Sequence, residues 1–110
     1  MHIGTLKNKK LIQCIIDNIP IFDDFLEIYL FGSILTDKEK PNDIDIFLIY
    51  DNYSKKISDE VTCLINYLEN LTGFQIDVTA LSLFENEDVN FLNRMKEKYL
   101  QIKWLFDLEF

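Results

Sequence analysis

Positive charge is scarce in this chain. Lys and Arg number 11 against 19 Asp and Glu, for a formal net charge of −8 in 110 residues. A protein that tracks nucleic acid needs clustered Lys and Arg, so direct nucleic-acid binding is not expected. The excess of acid suits a basic protein partner, and it does not oppose a single metal-chelated nucleotide, whose charge is already partly neutralised. Cysteine is equally sparse. Cys14 and Cys63 each fall inside an apolar helical pattern, where buried, reduced thiols are expected rather than a disulfide framework. One histidine, His2, and no Cys/His spacing exclude a zinc site of the usual kinds. No apolar run is long enough to span a membrane. After Lys7, Lys9 and Lys10, the residues Gln13, Cys14 and Asp17 break the apolar stretch that a secretory signal would need. A cytoplasmic protein without a membrane partner is expected. There is no internal repeat, low-complexity tract or flexible linker, so residues 1–110 read as one domain.

Apolar residues make up 48% of the chain and aromatics 14%, enough for a core. Leu11, Cys14, Ile15, Asn18 and Ile19 recur at helical spacing, with Thr5 as a cap and Pro20 as the stop, predicting a helix over 6–19. Its Lys7-Asn8-Lys9-Lys10 start reads as a solvated turn. Leu26 to Phe31 is an aromatic and Ile-rich run that predicts a strand, and Asp43 to Tyr50 predicts a second. Ile44, Ile46, Leu48 and Tyr50 share one face; Asp43, Asp45, Phe47 and Ile49 share the other. A strand apolar on both faces beyond its carboxylates is central in its sheet. Ser58 predicts a helix cap, with Asp59 and Glu60 in the first turn and Val61, Leu64, Ile65, Leu68 and Leu71 as the buried stripe, ending at Gly73. A third strand follows over Phe74 to Ala80. A long helix between strands is a crossover and implies an α/β-type sheet. Ser82 and Glu85 form a capping box for a helix to about residue 98. Leu100, Ile102 and Trp104 then alternate with Gln101 and Lys103 as an added short strand. The expected architecture is α/β (α+β), a small mixed sheet flanked by helices.

Chemistry is concentrated between Ile28 and Tyr50. The first strand stops at Gly32-Ser33, a nine-residue spacer follows, and Asp43-Ile44-Asp45 opens the second strand. Period-two geometry puts Asp43 and Asp45 on one face. Two neighbouring carboxylates repel, and a divalent cation relieves that repulsion; Mg²⁺ favours carboxylate oxygens together with substrate phosphates. Gly32 permits close backbone approach, and Ser33 adds a hydroxyl beside free N–H groups. Asp-x-Asp alone carries no weight with eleven aspartates in the chain; the order strand, Gly-Ser, spacer, Asp-x-Asp, strand does. Lys38 and Lys40 lie in the spacer and read as solvated charges, and Asp23-Asp24 reads as an exposed turn.

This order resembles the signature of the polymerase-β-like nucleotidyltransferase superfamily, and the small chain is similar to its minimal nucleotidyltransferase branch. The resemblance spans roughly residues 6–106 by element order. It implies the polymerase-β-like fold, with Asp43, Asp45 and a third carboxylate, Asp77, as catalytic residues and ligands of two Mg²⁺ ions (Mn²⁺ in their place is possible). Gly32 and Ser33 would hold the β- and γ-phosphates of ATP or another nucleoside triphosphate. Taken alone, Asp77 reads as a carboxylate on a solvated strand face; its catalytic role comes from the resemblance. Minimal members often pair with a HEPN-type toxin and transfer AMP to one of its tyrosines, acting as antitoxin. One departure stands out: many members carry an Arg after the Gly-Ser segment, where this chain has Leu35 and Thr36. With no second domain to hold an acceptor, the acceptor is expected on another protein or another subunit, so a homo-oligomer stays open. Two alternatives are a non-catalytic binding module that neutralises its partner by contact, and a transferase acting on a small molecule such as an aminoglycoside.

Overall fold

The computed structural model describes residues 8–19, 24–36, 43–90, 93 and 98–103. Helix α1 runs Lys9–Asn18, strand β1 Glu27–Phe31, a 3-10 turn Gly32–Leu35, strand β2 Asp43–Tyr50 and helix α2 Lys55–Thr72. Strand β3 (Gln75–Ser82), helix α3 (Leu83–Val89) and strand β4 (Tyr99–Lys103) complete the order. The four strands form one sheet in the order β3-β2-β1-β4. β1 pairs antiparallel with β2 and with β4, whereas β2 and β3 are parallel. Parallel neighbours need a crossover, and α2 supplies it. The mixed sheet flanked by helices is the architecture the sequence predicts.

The core lies mainly on one face of the sheet. Ile12, Ile15 and Ile19 from α1 and Ile57, Leu64 and Leu68 from α2 pack on Ile28, Leu30, Ile44, Ile46, Leu48, Tyr50 and Ile76. The opposite face carries a smaller cluster of Tyr29, Phe47 and Ile49, with Phe31, Leu81, Leu83 and Tyr99 against it. Tyr29 stacks on Phe47 with ring centroids 5.7 Å apart and meets Tyr99 edge-on at 5.4 Å. β2 is therefore buried on both faces beyond Asp45, as a central strand should be. Among the described residues no helix is long and apolar enough to cross a membrane.

Several local expectations change. α2 starts at Lys55, not near Ser58: Ser54 is extended and its Oγ accepts from the Ile57 amide (3.2 Å). The earlier start brings Ile57 into the buried stripe and moves Asp59 and Glu60 out of the first turn. Leu71, expected in that stripe, is 40% exposed because the stripe runs out in the last turn before Gly73. Cys63 is exposed and Cys14 half-buried, so neither is the buried thiol expected. In α1 it is Ile12, not Leu11, that is fully buried. The capping box at Ser82 and Glu85 forms as predicted, but α3 stops at Val89, where Asn90 turns left-handed (φ 50°) and closes the helix. β4 begins at Tyr99, one residue before the expected switch. Thr5, Pro20, Asp23, Lys38, Lys40 and Trp104 lie outside the described residues.

Candidate active site

The carboxylates meet because β2 and β3 are parallel and in register. Asp45 lies directly opposite Asp77, and Asp43 opposite Gln75. Adjacent strands stand about 4.8 Å apart, so two carboxylates that are 32 positions apart in sequence become neighbours on one face. Asp43, two residues earlier on the same face of β2, lies diagonally across from Asp77.

The electrostatics follow. Asp43 holds its proton to a higher pH than an ordinary aspartate, through loss of solvation at the strand start, then the nearby Asp77 carboxylate. Asp45 is shifted the same way, first by burial, then by the charges of Asp77 and Asp43. Among the described residues, no three His, Cys, Asp or Glu side chains are gathered tightly enough to enclose a metal ion. The donor set is nonetheless of the kind a hard cation takes: three carboxylates on one face of two registered strands.

Gly32 has a job that its sequence position does not reveal. Its φ is +79°, and a Cβ there would collide with Asp45 Oδ2 and stand 3.1 Å from Asp45 Cγ. The absent side chain makes room for the Asp45 carboxylate. The turn that follows is tied to β2 by Ser33, whose Oγ donates to the Asp43 carbonyl (3.3 Å). Thr36 closes it, donating from Oγ1 (2.7 Å) and from its amide (3.1 Å) to the Ser33 carbonyl. The five residues predicted for the site, Gly32, Ser33, Asp43, Asp45 and Asp77, thus lie together at one end of the sheet, where β1 ends and β2 and β3 begin.

Two residues near this group were not singled out from the sequence. Gln75 Nε2 donates to Asp77 Oδ1 (3.2 Å), a pairing that only the strand conformation makes possible at this spacing. Asn8, read as part of a solvated turn, is 7% exposed and donates from Nδ2 to the Ile34 carbonyl (3.2 Å). With the helix expected over 6–19, Asn8 falls inside it rather than at its start, the position where an Asn would read as a cap.

The comparisons with known proteins bear on fold and family. A chain of the toxin–antitoxin complex MntA–HpeT, in mutant form, is 22% identical, covering 88% of this chain and 73% of that one, with a TM-score of 0.50. A chain of the complex of tri-AMPylated Shewanella oneidensis HEPN toxin with MNT antitoxin is 24% identical, covering 89% and 70%, with a TM-score of 0.46. No curated protein matches the chain in sequence. The family model described as polymerase beta, nucleotidyltransferase, matches residues 9–102, from the start of α1 into β4. With that span matched, a mixed sheet flanked by helices and an Asp-x-Asp strand beside a Gly-Ser turn, the chain belongs to the polymerase beta nucleotidyltransferase family.

Proposed function

We propose that this protein is an antitoxin that transfers AMP from ATP to a tyrosine of a HEPN-type toxin. The observation that carries the reading is the register of β2 on β3, which sets Asp45 against Asp77 with Asp43 two residues before and the Gly32 turn alongside. A binding module has no use for three carboxylates on one face, where burial and the charges of Asp77 and Asp43 raise the pKa of Asp45. The fold likeness to a chain of a toxin–antitoxin complex supports the choice of partner.

Asp43, Asp45 and Asp77 would hold two Mg²⁺ ions, with Mn²⁺ as a substitute. Such ions offset the triphosphate charge and lower the pKa of a bound hydroxyl. In the reaction the acceptor tyrosine oxygen bonds to the α-phosphorus, and the bond from that phosphorus to pyrophosphate breaks. Asp77, the most solvent-open of the three, orients the acceptor hydroxyl and takes its proton. Asp43 and Asp45 hold the charge balance at the phosphates. The amides of the Gly32–Leu35 turn receive the β- and γ-phosphates, and the long Ser33 hydrogen bond to Asp43 is released to a phosphate oxygen. Chemistry of this kind is mostly positioning and charge neutralisation, which a small scaffold can supply.

The contact-only reading has one observation in its favour. Where family members carry Arg, Thr36 stands, and its hydroxyl is spent on the Ser33 carbonyl. The deciding experiment is to copurify the protein with the product of its neighbouring gene, add ATP and Mg²⁺, and weigh the partner by intact mass spectrometry. One or more AMP units should appear with wild type and vanish with Asp45→Asn and Asp77→Asn, while partner binding survives. An unmodified partner, neutralised equally by wild type and mutants, establishes contact alone.

A further inference from the structure

Asn8 occupies the N-cap of α1, where an Asn side chain ordinarily accepts from an amide of the first turn. Here it makes no such bond. Its amide nitrogen reaches out of the helix to the Ile34 carbonyl, 26 residues away in sequence, at 3.2 Å and out of solvent. α1 therefore goes without a side-chain cap and without an acidic residue in its first turn, although either would stabilise it. A cap forgone in favour of a buried contact to another element marks that contact as the one being kept.

The element on the other end is the Gly32–Leu35 turn. It is held on its far side by Ser33 Oγ to the Asp43 carbonyl, and its Gly32 backbone lies against the Asp45 carboxylate. Asn8 is the near-side tether. Between the two bonds the turn is fixed to α1 and to the strand that carries both carboxylates. The packing of α1 on the sheet through Ile12 and Ile15 stands behind Asn8.

We infer that Asn8 is a positioning residue that sets the Gly32–Leu35 turn over the Asp43–Asp45 strand, and that it does so for nucleotide binding. The consequence for nucleotide rests on the function proposed above; the hold on the turn does not. The donor is specific: Ala removes it, and Asp removes it while keeping size and offering the missing cap acceptor. Asp therefore keeps the test open should Ala fold poorly.

The experiment compares wild type, Asn8→Ala, Asn8→Asp and Ile57→Ala. Ile57 is buried in the first turn of α2, at the Tyr50 end of β2 and away from the turn, so its variant lowers global stability without touching the tether. Amide exchange by NMR reads the turn through the Thr36 amide, which donates to the Ser33 carbonyl. Calorimetry with Mg²⁺-ATP, well below each melting temperature, reads the site. A lost buried hydrogen bond should speed Thr36 exchange by about 10-fold in both Asn8 variants and weaken Mg²⁺-ATP by about 10-fold. Ile57→Ala should melt lower, with affinity within about twofold of wild type, since distant sites act independently. Equal Thr36 exchange in Asn8→Asp and wild type overturns the tether. Faster exchange with unchanged affinity overturns its role in nucleotide binding. If wild type binds no Mg²⁺-ATP, the proposed function falls, and Thr36 exchange alone still decides whether Asn8 holds the turn.

Discussion

Replacing Gly32 by Ala should do two separable things. The first is backbone strain. At φ +79° an L-residue is in the left-handed region, at a cost of roughly 1–2 kcal/mol. Reduced freedom of the unfolded chain returns a few tenths to about 1 kcal/mol, for a net loss of about 1 kcal/mol. The second is the collision with Asp45. The new Cβ would overlap Oδ2 and stand 3.1 Å from Cγ, whereas Asp45 Cβ at 3.4 Å is an ordinary neighbour. The carboxylate must swing away, out of line with Asp77. Gly73 is the built-in control: its φ is +75°, and nothing stands within 4 Å of a Cβ placed there. Gly73→Ala should therefore show the strain alone, lowering the melting temperature by about 5 °C for a domain near this size. Gly32→Ala should cost about 1 kcal/mol more and abolish Mg²⁺-ATP binding. Thermal melts of Gly32→Ala, Asp45→Ala and the double mutant complete the cycle. With the carboxylate gone, the cost of Gly32→Ala should fall to that of Gly73→Ala, a coupling of about 1 kcal/mol for residues in contact. Equal losses for Gly32→Ala and Gly73→Ala, with no coupling to Asp45, would refute the assignment of Gly32 as a space-maker for Asp45.

Neutralising the site should stabilise the fold while ending activity. Asp45 has a folded pKa above its unfolded one, so its contribution is favourable at low pH and is lost as pH rises through the folded value. Asp45→Asn should melt higher than wild type at pH 7, with the gap closing toward pH 4; a gap that is constant or widens on acidification contradicts the electrostatics. At the α3 cap the sign reverses. Glu85 sits below its ordinary range because of the Ser82 backbone and side-chain hydrogen bonds, so its contribution is present above the unfolded pKa and lost as pH falls through the folded one. Ser82→Ala should cost about 1 kcal/mol by chemical denaturation, and no loss would mean that the box is not maintained in solution.

Most of the elements were legible because short-range signals agree along the chain. The strand from Asp43 to Tyr50, the capping box at Ser82 and Glu85, and the Gly73 stop, left-handed at φ 75°, all stand where local pattern puts them. The Ser58 assignment missed because Ser54 offers the same chemistry four residues earlier, and local pattern cannot rank two serines when the choice depends on whether Ile57 is buried. The helix expected to run to about residue 98 is broken at Asn90 for a similar reason, with Asn93 helical again and residues 91, 92 and 94–97 outside the described residues. Apolar residues at helical spacing do not reveal that Asn90 will turn left-handed.

What the sequence determined by itself is which groups were available and on which face of a strand they lay. Period-two geometry made Asp43 and Asp45 neighbours, and the Gly-Ser pair marked the end of β1. That Asp77 joins them was decided by the parallel register of β3 on β2, a non-local fact set by how α2 packs on the sheet. One reason for Gly32 was decided there as well: its missing side chain makes room for a carboxylate thirteen residues on. Asn8 is the clearest case. Its local surroundings of Lys and Asn read as solvent, and only the docking of α1 on the sheet turns it inward to the Ile34 carbonyl. Local pattern encodes faces and ends, whereas which two ends meet depends on the packing of the whole chain.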